Sequence, residues 1–295
     1  MKKIAVIGAG TMGNGLAHVF AQNGFAVNLV DVSEKALEKA IGTIDKNLAR
    51  QVKKELISEV DKEASLQRIS TIQSIEKGVG DVVFVVEAAT ENKGLKLEIF
   101  KQLDAFAPKD TILASNTSSI SITSIAAVTS RPEKVIGMHF MNPVPVMKLV
   151  EVISGYLTSE ATLATTIELS EKLGKVPLSA NDYPGFVANR ILMPMINEAI
   201  HSLYTGVATV EAIDGIMKLG MAHPMGPLQL ADFIGLDVCL SIMNVLHEGL
   251  GESKYAPCPL LVNMVNAGCL GAKSGEGFYV WEKGSKELTV SKQFV

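Results

Sequence analysis

The chain has 295 residues, 47% hydrophobic and 20% charged, which excludes a disordered polymer and allows two domains of ordinary size. Its formal net charge of -4 argues against general affinity for nucleic acid. The three cysteines, Cys239, Cys258 and Cys269, are odd in number and lack metal-ligand spacing, which predicts reduced thiols, no bound metal and a reducing, cytoplasmic setting.

The opening MKKIAVIGAG has the lysines of a signal peptide, but its apolar run is too short and leads straight into a glycine-rich turn; it reads as a first strand. No apolar run approaches the roughly 18 residues of a membrane span, so none is expected. Val- and Ile-rich runs at 3–7, 26–31, 82–87, 111–115 and 135–140 lack polar alternation, as strands covered on both faces do. Helical patterns at 13–23, 33–61 and 95–106 alternate with them. The predicted fold class is therefore α/β, with a Rossmann-type, mostly parallel sheet. Residues 33–68 are too long and too charged for one crossover helix and predict a projecting helical pair. Runs at 148–153 and 175–180 predict two further strands. After Asp182-Tyr183-Pro184-Gly185 strand patterns stop, and helical patterns follow at 186–204, 209–219, 227–249 and 259–266. The expected organisation is a dinucleotide-binding domain at 1–182, an all-helical domain at 183–283 and a loose tail at 284–295. A mean hydropathy of +0.27 suggests that apolar surface is covered in an oligomer, as a large core also would.

The stretch Gly8-Ala9-Gly10-Thr11-Met12-Gly13 follows a strand and opens a helix. Gly8 permits a tight turn, Gly10 lets backbone approach a pyrophosphate, and Gly13 allows close helix–strand packing. The helix N-terminus offers free N–H groups and a positive dipole end to phosphates. Asp31 ends the second strand, 18 residues past Gly13, where an acid accepts the ribose hydroxyls and repels a 2′-phosphate. The pattern predicts NAD, with NADP less favoured.

Of five histidines, His18, His201 and His247 lie in helical patterns and read as packing or surface residues, and His223 sits in a helix-ending loop before Pro224. His139 stands at the carboxyl end of the last parallel strand, the edge where open α/β sheets bind ligands. Glu151 follows 12 residues later, beyond Asn142-Pro143-Val144-Pro145. If the flanking strands run antiparallel, Glu151 returns beside His139 and fixes its tautomer as in an acid–base pair. Otherwise Glu151 simply points into water. Ser115-Asn116-Thr117-Ser118-Ser119 ends a neighbouring strand, suited to binding a substrate oxygen or to capping the next helix.

The motifs GAGTMG, VEAATEN, SNTSS, HFMNPVPVMKLVEV, PGFVANR, HPMGPLQLAD and KSGEGFY occur in this order over roughly residues 3 to 281. Together they resemble the L-3-hydroxyacyl-CoA dehydrogenase family. That resemblance implies a Rossmann NAD-binding domain, a helical domain that forms a homodimer, a His–Glu pair at His139 and Glu151, and short-chain substrates such as 3-hydroxybutyryl-CoA. It further implies that Ser118 contacts the substrate's 3-oxygen and the cofactor, and that Asn189 is an active-site asparagine. By the same resemblance Asn142, Glu91, Lys96 and Lys273 lie near NAD, and Lys54, on the helical pair, meets CoA phosphates. Met141 stands where the family usually has Phe; it is flexible and similarly apolar, so it bears on chain length more than on chemistry.

An L-gulonate-type sugar-acid dehydrogenase shares the dinucleotide turn and an H…NP segment, whereas NPVPVMKL and the basic helical pair favour an acyl-CoA substrate. A non-catalytic NAD-binding protein would need the turn but not His139, Glu151, Ser118 and Asn189.

Overall fold

In the first unit, Met1–Tyr183, strands and helices alternate: β1 (Lys3–Ile7), α1 (Thr11–Gln22), β2 (Ala26–Val30), α2 (Glu34–Lys53), α3 (Glu59–Gln67), β3 (Ile69–Ile72), α4 (Ile75–Val79), β4 (Phe84–Glu87), α5 (Lys93–Phe106), β5 (Ile112–Ser115), α6 (Ile122–Ala126), β6 (Val135–Phe140), β7 (Leu149–Ser154), α7 (Glu160–Lys172) and β8 (Val176–Asn181). The computed structural model describes residues 2–282 and 288–295. The strands form one eight-stranded sheet ordered β3-β2-β1-β4-β5-β6-β7-β8. All pairs are parallel except β6 with β7, which are antiparallel, with His139 opposite Glu151. β4, β5 and β6 are buried along their whole length, the burial that unalternating apolar strands require.

The helical pair expected over 33–68 is formed by α2 and α3. α2 ends at Lys53, and α3 opens on a capping box in which Ser58 and Asp61 satisfy each other's backbone N–H groups. Leu37, Ala40, Ile44 and Leu48 form the buried stripe of α2 and join the core that contains α1. β3 was not apparent from the sequence, because ISTI is a half-exposed edge strand with two polar residues in four.

The second unit, Pro184–Val295, contains α8 (Ala188–Tyr204), α9 (Val210–Gly220), α10 (Pro227–Ile234), α11 (Leu236–Leu250), α12 (Pro259–Asn266) and a small hairpin of β9 (Tyr279–Val280) with β10 (Thr289–Val290). The single helix expected over 227–249 is broken by Gly235, whose φ of 104° suits glycine, and α10 and α11 meet at a 98° bend. Two buried aspartates organise this unit. Asp214 accepts from the N–H groups of Leu228 (2.8 Å) and Gln229 (2.9 Å) at the start of α10, and from Tyr279 Oη (2.8 Å). Asp232 accepts from Phe278 N–H (3.0 Å), Tyr279 N–H (2.9 Å) and Trp281 Nε1 (3.0 Å). Gly277 must lack a side chain here, since a Cβ would lie 2.0 Å from Asp232 Oδ1.

The loose tail expected at 284–295 needs correction. Residues 284–287 lie outside the described residues, but β10 pairs with β9, Ser291 is buried, and Phe294 stacks on Phe278 with ring centroids 5.5 Å apart. A short apolar segment that finds such partners stays docked. Among the described residues no single helix is long and apolar enough to cross a membrane.

Candidate active site

The glycine turn is built around its own backbone. Gly8 has φ 101°, and a Cβ on Gly13 would lie 1.7 Å from Gly8 O, so these positions admit only glycine. Gly10 is the N-cap of α1, with no side-chain cap and no acid in the first turn; Thr11 and Met12 begin the helix. The first-turn N–H groups are thus left for an anion. Asp31 braces this turn: Oδ2 accepts from Ala9 N–H (2.8 Å) and Oδ1 from Ser33 N–H (2.9 Å). A cavity of about 630 Å³ lies alongside, lined by Gly8, Asp31, Val32, Gln73, Ile75 and Ala88 among others. Glycine cradle, uncapped helix and acid at the strand end fit a dinucleotide such as NAD. Asn142 lines a second cavity, of about 420 Å³, with Gly10, Thr11 and the Lys39, Thr43 and Asn47 face of α2. Lys39, Thr43 and Asn47 repeat every four residues on one helical face. That spacing is visible in the sequence but is masked by the charged composition of 33–68.

Beyond β4 lies an ionic cluster in which Glu87 and Lys96 are buried and Glu91, 40% exposed, reaches the surface. Lys96 (1% exposed) directs its ammonium to Glu87 Oε1 at 2.7 Å, Ala89 O at 3.2 Å and Glu91 Oε2 at 3.4 Å. Glu91 Oε1 accepts from Thr117 Oγ1 (2.5 Å), Ser118 N–H (3.0 Å), Ser119 N–H (3.2 Å) and Ser119 Oγ (2.9 Å). Burial works to raise the Glu91 carboxyl, but the Lys96 charge and these donors outweigh it and hold it below the ordinary glutamate value. Asn116, also buried, accepts from Phe140 N–H at 2.9 Å and ties the end of β5 to the end of β6. Asn116 lies in the polar cluster that the sequence singles out and Glu87 in the VEAATEN motif, but the role of each depends on partners that sequence reasoning does not bring together.

His139 and Glu151 are both buried, and Glu151 Oε2 lies 2.8 Å from His139 Nδ1. The carboxylate accepts the Nδ1 proton, which leaves the lone pair on Nε2. Ser118 Oγ stands 3.0 Å from that Nε2 and donates to it in this tautomer. Hydroxyl, imidazole and carboxylate thus form a chain at the carboxyl end of β6, suited to moving a proton. The first unit therefore contains the glycine turn, Asp31, Glu91, Lys96, Ser118, His139, Asn142 and Glu151. Lys54 is exposed at the C-cap of α2. Asn189 and Lys273 belong to the second unit, Asn189 buried in the first turn of α8 and Lys273 paired with Asp237.

Residues 3–183 match the family model described as 3-hydroxyacyl-CoA dehydrogenase, NAD binding domain, and residues 185–281 that described as its C-terminal domain. A probable 3-hydroxybutyryl-CoA dehydrogenase of Bacillus subtilis is 57% identical, over 96% of this chain and 98% of its own length. The 3-hydroxybutyryl-CoA dehydrogenase of Bradyrhizobium diazoefficiens is 55% identical over 98% of both chains. The crystal structure of (S)-3-hydroxybutyryl-CoA dehydrogenase from Ralstonia eutropha is similar to this one with a TM-score of 0.93 and 50% identity, covering 96% of this chain and all of that one (100%).

Proposed function

The chain belongs to the 3-hydroxyacyl-CoA dehydrogenase family, and on that premise we propose that it catalyses the reversible, NAD-dependent oxidation of a short-chain L-3-hydroxyacyl-CoA, such as 3-hydroxybutyryl-CoA, to the 3-ketoacyl-CoA. The observation that carries this reading is the Ser118–His139–Glu151 chain, 3.0 Å and 2.8 Å long at its two links, in the same unit as the dinucleotide turn.

Bound NAD supplies the acceptor for the hydride that leaves C3. His139 takes the C3 hydroxyl proton on Nε2, and in reduction returns it from the same atom. Glu151 steadies the imidazolium that this creates and prevents the ring from turning. Ser118 Oγ, 3.0 Å from His139 Nε2, is placed to donate to the C3 oxygen instead when substrate binds. Asn189 is assigned a second contact to the same oxygen. Glu91, Asn142 and Lys273 are assigned to the cofactor, and Lys96 acts beside them through Glu91. Lys54 is assigned to the phosphates of CoA, supported by Lys46, Arg50 and Lys53 in the same stretch of helix.

The helical unit is proposed to bind a second copy: Ile191, Val207, Ile216, Leu219, Met221 and Phe233 are exposed, Leu219 to 91%, and such surface is ordinarily covered. A cytoplasmic location fits three free cysteines.

The test is steady-state reduction of acetoacetyl-CoA and longer 3-ketoacyl-CoAs with NADH and with NADPH, for the parent and for His139→Gln. The expected result is turnover with NADH by the parent, and a variant that binds NADH but turns over at least about 100-fold more slowly. Undiminished turnover by His139→Gln would remove His139 from the mechanism.

A further inference from the structure

We propose that Glu87 is a positioning residue that couples the dinucleotide turn to the Ser118 loop, a role that rests on the dehydrogenase reading above. Glu87 is completely buried (0% exposed) at the end of β4, where it meets no solvent and lines neither of the cavities described. Both of its oxygens are fully engaged. Oε1 accepts from Ala89 N–H at 2.6 Å and from Lys96 Nζ at 2.7 Å, and Oε2 accepts from Ser115 Oγ at 2.7 Å.

Two routes lead from this carboxylate to the same loop. Ser115 Oγ passes the contact on by accepting from Thr117 N–H at 3.2 Å. Lys96 passes it on through Glu91 Oε2 (3.4 Å), whose other oxygen accepts from the N–H groups of Ser118 and Ser119. On its other side, Glu87 holds Ala89, and the Ala88–Ala89 peptide lies against the glycine turn: a Cβ on Gly8 would meet Ala88 O at 2.8 Å and Ala89 N at 3.0 Å. Ala88 N–H also donates to Ile7 O at 2.7 Å, immediately before Gly8. One carboxylate therefore fixes the backbone that abuts the phosphate turn and the loop whose serine touches His139.

A buried ion pair is a poor source of stability, since an apolar pair of the same shape does as well or better. Its merit here is geometric. Hydrogen bonds of fixed direction set the height of the Ser118 loop against the glycine turn, and a misplacement of about 1 Å between reacting groups costs on the order of 100-fold in rate.

The test is Glu87→Gln beside the parent, with NADH affinity by fluorescence, kcat and KM for acetoacetyl-CoA, and the folded fraction by circular dichroism. The amide keeps the shape but donates where Ala89, Lys96 or Ser115 also donates. Expected are a fall in kcat of about 10–100-fold per folded site, an NADH Kd raised several-fold, and a KM for acetoacetyl-CoA within twofold. A purely structural role would lower the melting temperature and leave kcat per folded site within twofold, and that result overturns the proposal. Should Glu87→Gln fail to fold, Ser115→Ala decides: it removes the two hydrogen bonds that join Glu87 to Thr117 N–H through Ser115 Oγ and leaves the ion pair, so kcat should fall about 3–10-fold, and an unchanged kcat refutes the coupling. A parent that does not reduce acetoacetyl-CoA defeats the dehydrogenase reading itself, and the coupling to its serine with it.

Discussion

Glu151→Gln isolates the electrostatic part of the acid–base pair. The substitution keeps the side chain's shape in a buried strand position and removes its charge. In the parent, Glu151 Oε2 accepts from His139 Nδ1 at 2.8 Å. A hydrogen bond to a charged group contributes roughly 1.5–3 kcal/mol, and at about 1.4 kcal/mol per factor of ten its loss slows proton transfer by about 10–150-fold. The amide adds a second effect: its NH₂ can donate to Nδ1 and drive the proton to Nε2, where it blocks acceptance from the substrate. Together these should lower kcat by about 100–1,000-fold, within the range of general acid–base effects. The glycine turn and Asp31 are untouched, so NADH affinity should stay within twofold. The assay is NADH oxidation with acetoacetyl-CoA at saturating concentrations, with NADH binding measured separately. A variant that keeps kcat within threefold of the parent would refute the assignment of Glu151 as the partner that charges and orients His139.

Asp31→Ala should raise the KM for NADH by about tenfold while affecting NADPH less, because the carboxylate that repels a 2′-phosphate is gone; an unchanged NADH-to-NADPH preference in paired steady-state assays would contradict that role. Asp232→Asn should destabilise the helical unit by about 2–4 kcal/mol, since an amide offers one acceptor to the donors of Phe278, Tyr279 and Trp281; urea unfolding reads the loss directly. Glu91 supplies a pH dependence. Its folded value lies below 4.5, so its contribution is complete above about pH 4.5 and is lost as pH falls through the lowered folded value. Thermal melts of Glu91→Gln should therefore change less than the parent's between pH 5 and about pH 3, and identical slopes would rule this out.

Much of the first unit is legible in the sequence because its signals are local. A strand, a glycine turn and an acid at the next strand end lie within 31 residues, and each has one conformational reason to be there. The pairing of His139 with Glu151 follows from the direction of two strands about a proline turn, which the spacing suggested but could not decide. β3 escaped notice because an edge strand with exposed Ser70 and Thr71 has no apolar run. The bend at Gly235 escaped it because the hydrophobic period continues across the glycine. HPMGPLQLAD and KSGEGFY show a different limit. They are conspicuous as motifs, yet Asp232 and Gly277 within them form a hydrogen-bonded clamp inside the helical unit. Asn116 is visible only as part of a polar cluster ending a strand and Glu87 only within VEAATEN, and the role of neither can be read there, since their partners, Lys96 of α5 and Ser115 of β5 for Glu87 and Phe140 of β6 for Asn116, come from other elements.

The register that sets His139 opposite Glu151 also bears on how the protein acquires its chemistry. A contact across 12 residues closes a small loop and is available early to a folding chain, whereas the approach of Ser118 to His139 needs a parallel crossover, and crossovers form slowly. The proton-handling pair is thus the most local part of the catalytic apparatus, and the serine and the glycine turn must be gathered around it. During refolding the imidazole–carboxylate contact should appear before competence to bind NADH, so activity should return in step with the sheet and not with the hairpin.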